Sequence, residues 1–412
     1  MSIPTGPYAA LRIPDFRLFV SARFCITLAI QIQGVVVAWQ VYDLTHDPLS
    51  LGFIGLAEAI PSIGVSLYAG HIADIVQRKK IILTCVFTLL LCSLALLYFT
   101  LNIGSSLLQY GVFSIYSVIF ISGIARGFLT PALFAYMPQL IPRELYSNAI
   151  TWNSTLWETA AIGGPAVGGL LYSFSGIQAS YAADAALMVA GLGLALGITN
   201  KPLPPESDEQ GTFEKIKAGL RFVFKNQIIL GAISLDLFAV LFGGAVALLP
   251  IFAKDILQAG PIALGLLRAA PSVGALIMAF YITHYPIRQH MGRILFLCVA
   301  GFGLSMILFA LSKNLWLSLT LLMISGMFDC VSVIIRGTLL QTLTPENMKG
   351  RVSAVNHIFI GSSNEIGMFE SGVAAKLLGV VRSVIFGGCM TLISVGAIAA
   401  LAKSLRKLQR VN

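Results

Sequence analysis

Long apolar runs follow one another along nearly the whole chain, separated by short polar turns. Each comes close to the about 20 residues that a helix needs to cross a bilayer. Of the 412 residues, 57% are hydrophobic and 11% charged; a soluble globular chain has about 45–50% apolar and about 25% charged residues. Hydrocarbon offers no water to backbone N–H and C=O groups, so a crossing segment must satisfy them internally or in a closed barrel. Barrel strands would alternate in polarity over about ten residues, and these runs do not alternate. The expectation is an all-α integral membrane protein. An ordinary soluble enzyme, a disordered chain and a nucleic-acid-binding domain are excluded.

Twelve spans are predicted, near 16–42, 50–72, 80–101, 108–136, 147–174, 178–199, 227–251, 262–284, 293–312, 316–341, 350–378 and 381–402. No charged leader with a cleavage site precedes the first, so it is read as retained. Cytoplasmic loops carry an excess of Lys and Arg. With both termini inside, Arg78, Lys79, Lys80, Arg143, Lys201, Lys215, Lys217, Arg221, Lys349 and Lys407 fall on the inner side. The outer loops then hold only Lys254, Lys313 and Arg382. This bias accounts for the net charge of +9 without a nucleic-acid partner.

The chain divides in two. Leu140-Ile-Pro142 aligns with Leu343-Thr-Pro345, and at the same spacing Gly123 meets Gly326, Asn153 meets Asn356, Gly164 meets Gly367 and Gly169 meets Gly372. At a slightly larger spacing, Pro61-Ser-Ile-Gly64 meets Pro271-Ser-Val-Gly274. Residues 1–200 are read as a first six-helix bundle and 227–412 as a second, pseudo-symmetric one. Residues 201–226 are a cytoplasmic linker that begins with prolines and charges. Within it Phe213, Ile216, Leu220 and Val223 recur at helical spacing beside Lys215, Lys217, Arg221 and Lys225. That pattern predicts an amphipathic helix on the membrane surface, with a plain solvated linker helix as the alternative. Paired six-span repeats are the arrangement of carriers whose binding site lies between the halves, near mid-membrane.

Three motifs bear on the kind of carrier. The loop after span two reads Gly70-His-Ile-Ala-Asp74-Ile-Val-Gln-Arg78-Lys-Lys80. Span five carries Gly163-Gly164-Pro165-Ala-Val-Gly168-Gly169, whose small residues permit close helix approach. The N-terminal region has Asp15-Phe16-Arg17 and Val41-Tyr-Asp-Leu-Thr45, and the linker has Gly219-Leu-Arg221-Phe222. The first motif resembles the loop signature of the major facilitator superfamily, with Ile75 and Gln77 departing from it. The second is similar to the glycine–proline signature of that superfamily's exporters. Together they resemble the branch of enterobactin-type siderophore exporters and macrolide efflux proteins, over nearly the whole chain. The resemblance implies the major facilitator fold, a gating loop at Gly70, Asp74 and Arg78, an exporter-type helix motif at Gly164, Pro165, Gly168 and Gly169, and a monomer.

Charges at membrane depth are costly and default to functional readings. The acids are Glu58, Glu158, Asp184, Asp236, Asp329, Glu365 and Glu370; the bases are Arg23, Arg126, Arg268, Arg336 and Lys376. Asp184 and Lys376 are read as span-end residues whose charges reach the interface. The repeat sets Glu58 opposite Arg268 and Arg126 opposite Asp329, which suggests ion pairs that rearrange between the halves; fixed pairing inside each half is the alternative. Helical spacing aligns Arg23 with Gln31, Asn153 with Trp157, Asp329 with Arg336 and Asn356 with Glu370. Substrate-cavity candidates are Arg23, Gln31, Arg126, Asn153, Trp157, Glu158, Arg268, Asp329, Arg336, Asn356 and Glu370. Trp39 and Tyr42 are read as interfacial aromatics. The resemblance adds proton coupling, for which Glu58, Asp236 and Glu365 are the candidates.

The expected function is secondary active export of an amphipathic small molecule, siderophore- or drug-like, by alternating access and proton antiport. The expected place is the cytoplasmic membrane of a bacterium. Partners are the substrate, protons and the lipid bilayer. No cofactor or metal is expected: the six cysteines sit in apolar runs without metal-ligand spacing, the histidines do not cluster, and no ATP-binding loop occurs. Uptake or facilitated transport of a lysolipid or sugar is one alternative and a non-translocating membrane sensor another. An intramembrane enzyme is disfavoured for want of a nucleophile–base motif.

Overall fold

The fold is taken from a computed structural model, which describes residues 6, 8–101, 108–202, 212–285, 287, 289–345 and 348–408. Helices account for almost all of it. In chain order they are α1 (Pro14–Thr45), α2 (Pro48–Ile75), α3 (Arg78–Leu101), α4 (Phe113–Leu140), α5 (Tyr146–Leu196), α6 (Thr212–Lys225), α7 (Gln227–Gly243), α8 (Gly260–His284), α9 (Met291–Leu311), α10 (Leu315–Leu343), α11 (Lys349–Leu378) and α12 (Val380–Leu401). Among the described residues, ten helices are long and apolar enough to cross a membrane. One of these contains two spans. Gly176, at φ 79° and ψ 179°, breaks α5 in a conformation that only glycine adopts freely. With α11, of 30 residues and richer in polar side chains, the spans number twelve.

Several ends are set by local chemistry. Asn226 caps α7, its side-chain oxygen accepting from the N–H of Ile228 and Ile229; Asn314 caps α10 in the same way. Span seven is less regular than its apolar sequence suggests. Beyond Gly244 it continues as short helical turns, Ala245–Leu248 and Leu249–Ile251, and a π-helical turn, Phe252–Ile256.

Two compact units emerge. The first comprises residues 1–44 and 57–209, the second 45–56 and 210–412. In the first, Phe16, Phe19, Val86, Leu89, Leu129, Tyr136 and Met188 form a buried core. Its ends are tied by Asp15, which accepts from the Thr199 backbone N–H (3.0 Å) and the Lys201 ammonium (2.8 Å). Lys79 donates to the carbonyl of Leu196, at the C-terminus of α5, where the helix dipole favours a cation. In the second, Leu235, Leu295, Phe296, Val331, Ile335 and Leu339 form the core.

The repeat is visible as geometry. A Cβ on Gly123 would lie 2.7 Å from the Glu58 carbonyl and 2.8 Å from the Pro61 ring, so α4 crosses α2 almost backbone to backbone. A Cβ on Gly326 would lie 1.9 Å from the Pro271 carbonyl, where α10 crosses α8. Likewise Gly164 approaches Gln31 of α1, and Gly367 approaches Leu241 of α7.

Three placements differ from the sequence reading. The first turns of α2 group with the second unit: Asp47 accepts from Lys376 at 2.8 Å, Phe53 packs on Phe369, and Gly52 meets Gly372. The amphipathic helix α6 packs on its own unit rather than only on a membrane surface. Val223 is fully buried with Ile229, Ile233, Val352 and Val355, and Leu220 and Phe222 flank them; Phe213 and Ile216 have side chains outside the described set. Trp39 and Tyr42 are buried, and Trp39 packs against Tyr172, so they serve the bundle interior rather than an aromatic belt.

Candidate functional site

The polar groups of the first unit meet in three places. Near the start of α1, Arg23 donates from Nη1 to the Asn153 Oδ1 at 2.7 Å, joining α1 to α5. On α2 and α4, Arg126 pairs with Glu58, each about a quarter exposed on its side chain. The close crossing at Gly123 brings these two helices near enough for the pair to form. Deeper in the unit, the Gln33 amide donates to Asp184 Oδ2 at 3.0 Å and contacts Ser93 Oγ at 3.4 Å. Next to it, Tyr181 donates its hydroxyl to Gln40 at 2.6 Å.

Asp184 is therefore not a span-end residue. Its exposure is 0%. The sixth span starts immediately after the Gly176 break, which carries Asp184 two turns into the bundle. Sequence reasoning missed this network because linear spacing orders residues along one helix without saying which polar side chains of other helices they meet. A signal existed: Gln33 and Ser93 are polar residues inside strongly apolar runs, and such residues need partners.

In the second unit Arg336 of α10 pairs with Asp236 of α7, both nearly buried. A small cavity of about 10 Å³ lies beside the pair, lined by Asp236, Asp329, Ser332, Cys298, Phe302 and Phe328. That volume is about what one water requires. Asp329, Ser332 and Arg336 thus lie along one face of α10. Asn356 lies on α11 with a buried side-chain oxygen that has no partner.

The remaining predicted residues fall as follows. Gln31 sits where Gly164 presses on α1, and Gly168 packs on Ile32 of the same helix, with Pro165 between them inside α5. Gly169 is buried on that helix. Trp157 is exposed and Glu158 half-buried on α5; Arg268 on α8 and Glu370 on α11 are half-buried. Arg78 donates to the Ala135 carbonyl at 2.9 Å, fastening the loop after α2 to the end of α4. The side chains of Gly70, Asp74 and Glu365 lie outside the described set. Glu58 and Arg126 pair within one unit. Among the described residues no group of His, Cys, Asp and Glu could hold a metal ion.

An all-helical chain with twelve spans, an internal repeat and an ion pair between helices in each unit defines a membrane carrier of the major facilitator fold. The chain belongs to the transmembrane secretion effector family, whose model matches residues 5–412. It is 28% identical to the enterobactin exporter EntS of Shigella dysenteriae serotype 1 over 345 residues, covering 83% of this chain and 80% of the relative. The EntS of Salmonella choleraesuis matches equally, at 28% over 83% of this chain and 81% of the relative. Solved structures share the fold. A bacterial homologue of the iron transporter ferroportin in an inward-facing state superposes with a TM-score of 0.71 at 16% identity, over 97% of this chain and 99% of the other. A D-xylose–proton symporter gives 0.71 at 13%, over 93% and 96%. The protein is a multi-pass exporter of the major facilitator type, not an enzyme.

Proposed function

We propose that the protein exports an amphipathic small molecule, siderophore- or drug-like, from the cytoplasm of a bacterium, by alternating access and in exchange for protons. Kinship with enterobactin exporters over most of the chain carries this reading. Both termini face the cytoplasm, and the protein works as a monomer in the inner membrane.

Buried charge in both units supports the coupling. The lone Arg23–Asn153 contact leaves a guanidinium suited to an acidic or catecholate group, because planar N–H donors match such oxygens. Gln31, Trp157 and Glu158 on the first unit, and Arg268, Asp329, Asn356 and Glu370 on the second, supply further polar and aromatic groups for a substrate of mixed character. Glu58 and Asp236, each paired with an arginine, are carboxyls whose protonation would release that partner. Glu365 completes the set proposed for coupling. Hinging of the loop at Gly70, Asp74 and Arg78 would change the access state.

The test is proton flux in liposomes holding purified protein under an imposed pH gradient. Catecholate and hydroxycarboxylate siderophores, macrolides, lysolipids and sugars are added in turn. A siderophore or drug should dissipate the gradient, and Glu58→Gln should remove most of that effect. Binding without any proton movement, for every compound, would overturn antiport; dissipation only by a sugar or lysolipid would overturn the substrate class.

A further inference from the structure

Asp184 is a buried acid with no cation bound to it. Among the described residues no Lys or Arg lies within salt-bridge distance. Its Oδ2 accepts from Gln33, and Ser93 lies beside that amide. Its Oδ1 is buried with no partner at all. No paired cation offsets the desolvation of an ionised carboxylate there.

The groups around it narrow what it can do. From α3 come Ser93, whose hydroxyl is within hydrogen-bonding reach of the carboxyl, and Cys92, whose thiol donates to the Val118 carbonyl. On its own helix Tyr181 is occupied with Gln40. From α1 comes only the neutral Gln33. From α4 comes Arg126, whose positive charge acts on Asp184. Arg126 is paired with Glu58 of α2 through Nη1, yet its Nε is buried and unpartnered. One unit therefore holds an orphaned guanidinium N–H and an orphaned carboxyl oxygen in electrostatic reach of each other. Glu58 is paired with the guanidinium and Asp184 is not, and two carboxyls with one guanidinium are neutral only with one proton bound.

We propose that Asp184 and Glu58 alternate as partners of Arg126, and that the carboxyl not paired at a given moment holds the proton. In the arrangement seen, Glu58 is ionised against Arg126 and Asp184 is protonated. In the other, Glu58 takes a proton from water, Arg126 turns to Asp184, and Asp184 gives its proton to water. One proton is taken up and one released, and the three groups stay neutral throughout. Glu58 is the member that meets solvent first, being partly exposed while Asp184 is not. This deepens the proposed antiport and rests on it for its role in transport, but not for the protonation states.

The test therefore reads protonation directly, by infrared spectroscopy of the purified full-length protein in lipid. The wild type should show a protonated-carboxyl band that Asp184→Asn abolishes. Glu58→Gln should abolish the same band, because Arg126 is then free to ionise Asp184. Arg126→Gln should instead retain it. Persistence of the Asp184 band in Glu58→Gln, or its absence from the wild type, would overturn the inference. If Asp184→Asn fails to fold, the band's loss in Glu58→Gln and its retention in Arg126→Gln still decide the matter. Proton flux is measured in parallel, where Asp184→Asn should lose at least tenfold with substrate binding kept. Flux in the wild type that Asp184→Asn leaves unchanged would overturn the inference and spare antiport. Absent flux in the wild type would overturn antiport, while the infrared bands would still support or overturn the exchange of partners.

Discussion

A methyl group has no room at Gly326. Its Cβ would sit 1.9 Å from the Pro271 carbonyl, and the neighbour is backbone that cannot rotate away. Gly274, on the facing helix, meets the Met323 carbonyl at the same 1.9 Å. Overpacking of a close-packed interior costs about 1–3 kcal/mol, so Gly326→Ala and Gly274→Ala should each lower the unfolding temperature in detergent. Gly163→Ala and Gly361→Ala, with nothing within 4 Å of the added carbon, should not. Equal effects at all four would show that helix propensity, not crossing distance, governs these positions. At Gly123 the close neighbour is the backbone of Glu58, whose side chain is proposed for coupling. Such glycines were legible as a repeat-aligned pair, Gly123 with Gly326. The partners of individual charges were not. Glu58 and Arg126 lie on different helices, and linear spacing orders residues along one helix without saying which neighbour it meets.

At the scale of helices, the ion pair between Asp236 and Arg336 joins α7 to α10 through an interior where neither charge reaches water freely. Removing one partner strands the other. Breaking such a pair costs about 3–5 kcal/mol, whereas replacing both by apolar residues of similar volume is often neutral. Asp236→Leu should therefore destabilise strongly, and Asp236→Leu with Arg336→Met should regain most of the loss, read as thermal unfolding in detergent. Additive losses in the double variant would mean that each residue matters separately, through the water-sized cavity beside them. The break in α5 belongs to the same scale. Gly176→Ala places a side chain at φ 79° and should cost about 1–3 kcal/mol with no lost contact. Spans five and six were legible as two apolar runs, but their fusion through one glycine was not. The irregular end of span seven escaped because Gly244 to Ala253 is apolar throughout, and hydropathy does not distinguish a helix from successive broken turns.

For the whole molecule, the repeat made two six-helix halves legible, because equivalent crossings need equivalent small residues. It could not show that residues 45–56 group with the second unit, since an alignment pairs helices and not contacts. Orientation rests on charge alone. Moving Lys or Arg across the bilayer is costly, so the side with sparse cations, Lys254, Lys313 and Arg382, is the one proposed to face outward. Lys80, Lys313 and Lys407 are all exposed and make suitable reporters. In a variant freed of its six native cysteines, Lys313→Cys should react with an impermeant maleimide added to intact cells, and Lys80→Cys and Lys407→Cys only after permeabilisation. The reverse pattern would invert the topology and, with it, the direction assigned to transport. Labelling of all three from outside would break the link between charge bias and topology on which the reading depends. Because α9 and α10 are joined by the short turn bearing Lys313, this position reports on two spans at once, and a single misplaced span elsewhere would put Lys80 and Lys407 on opposite sides.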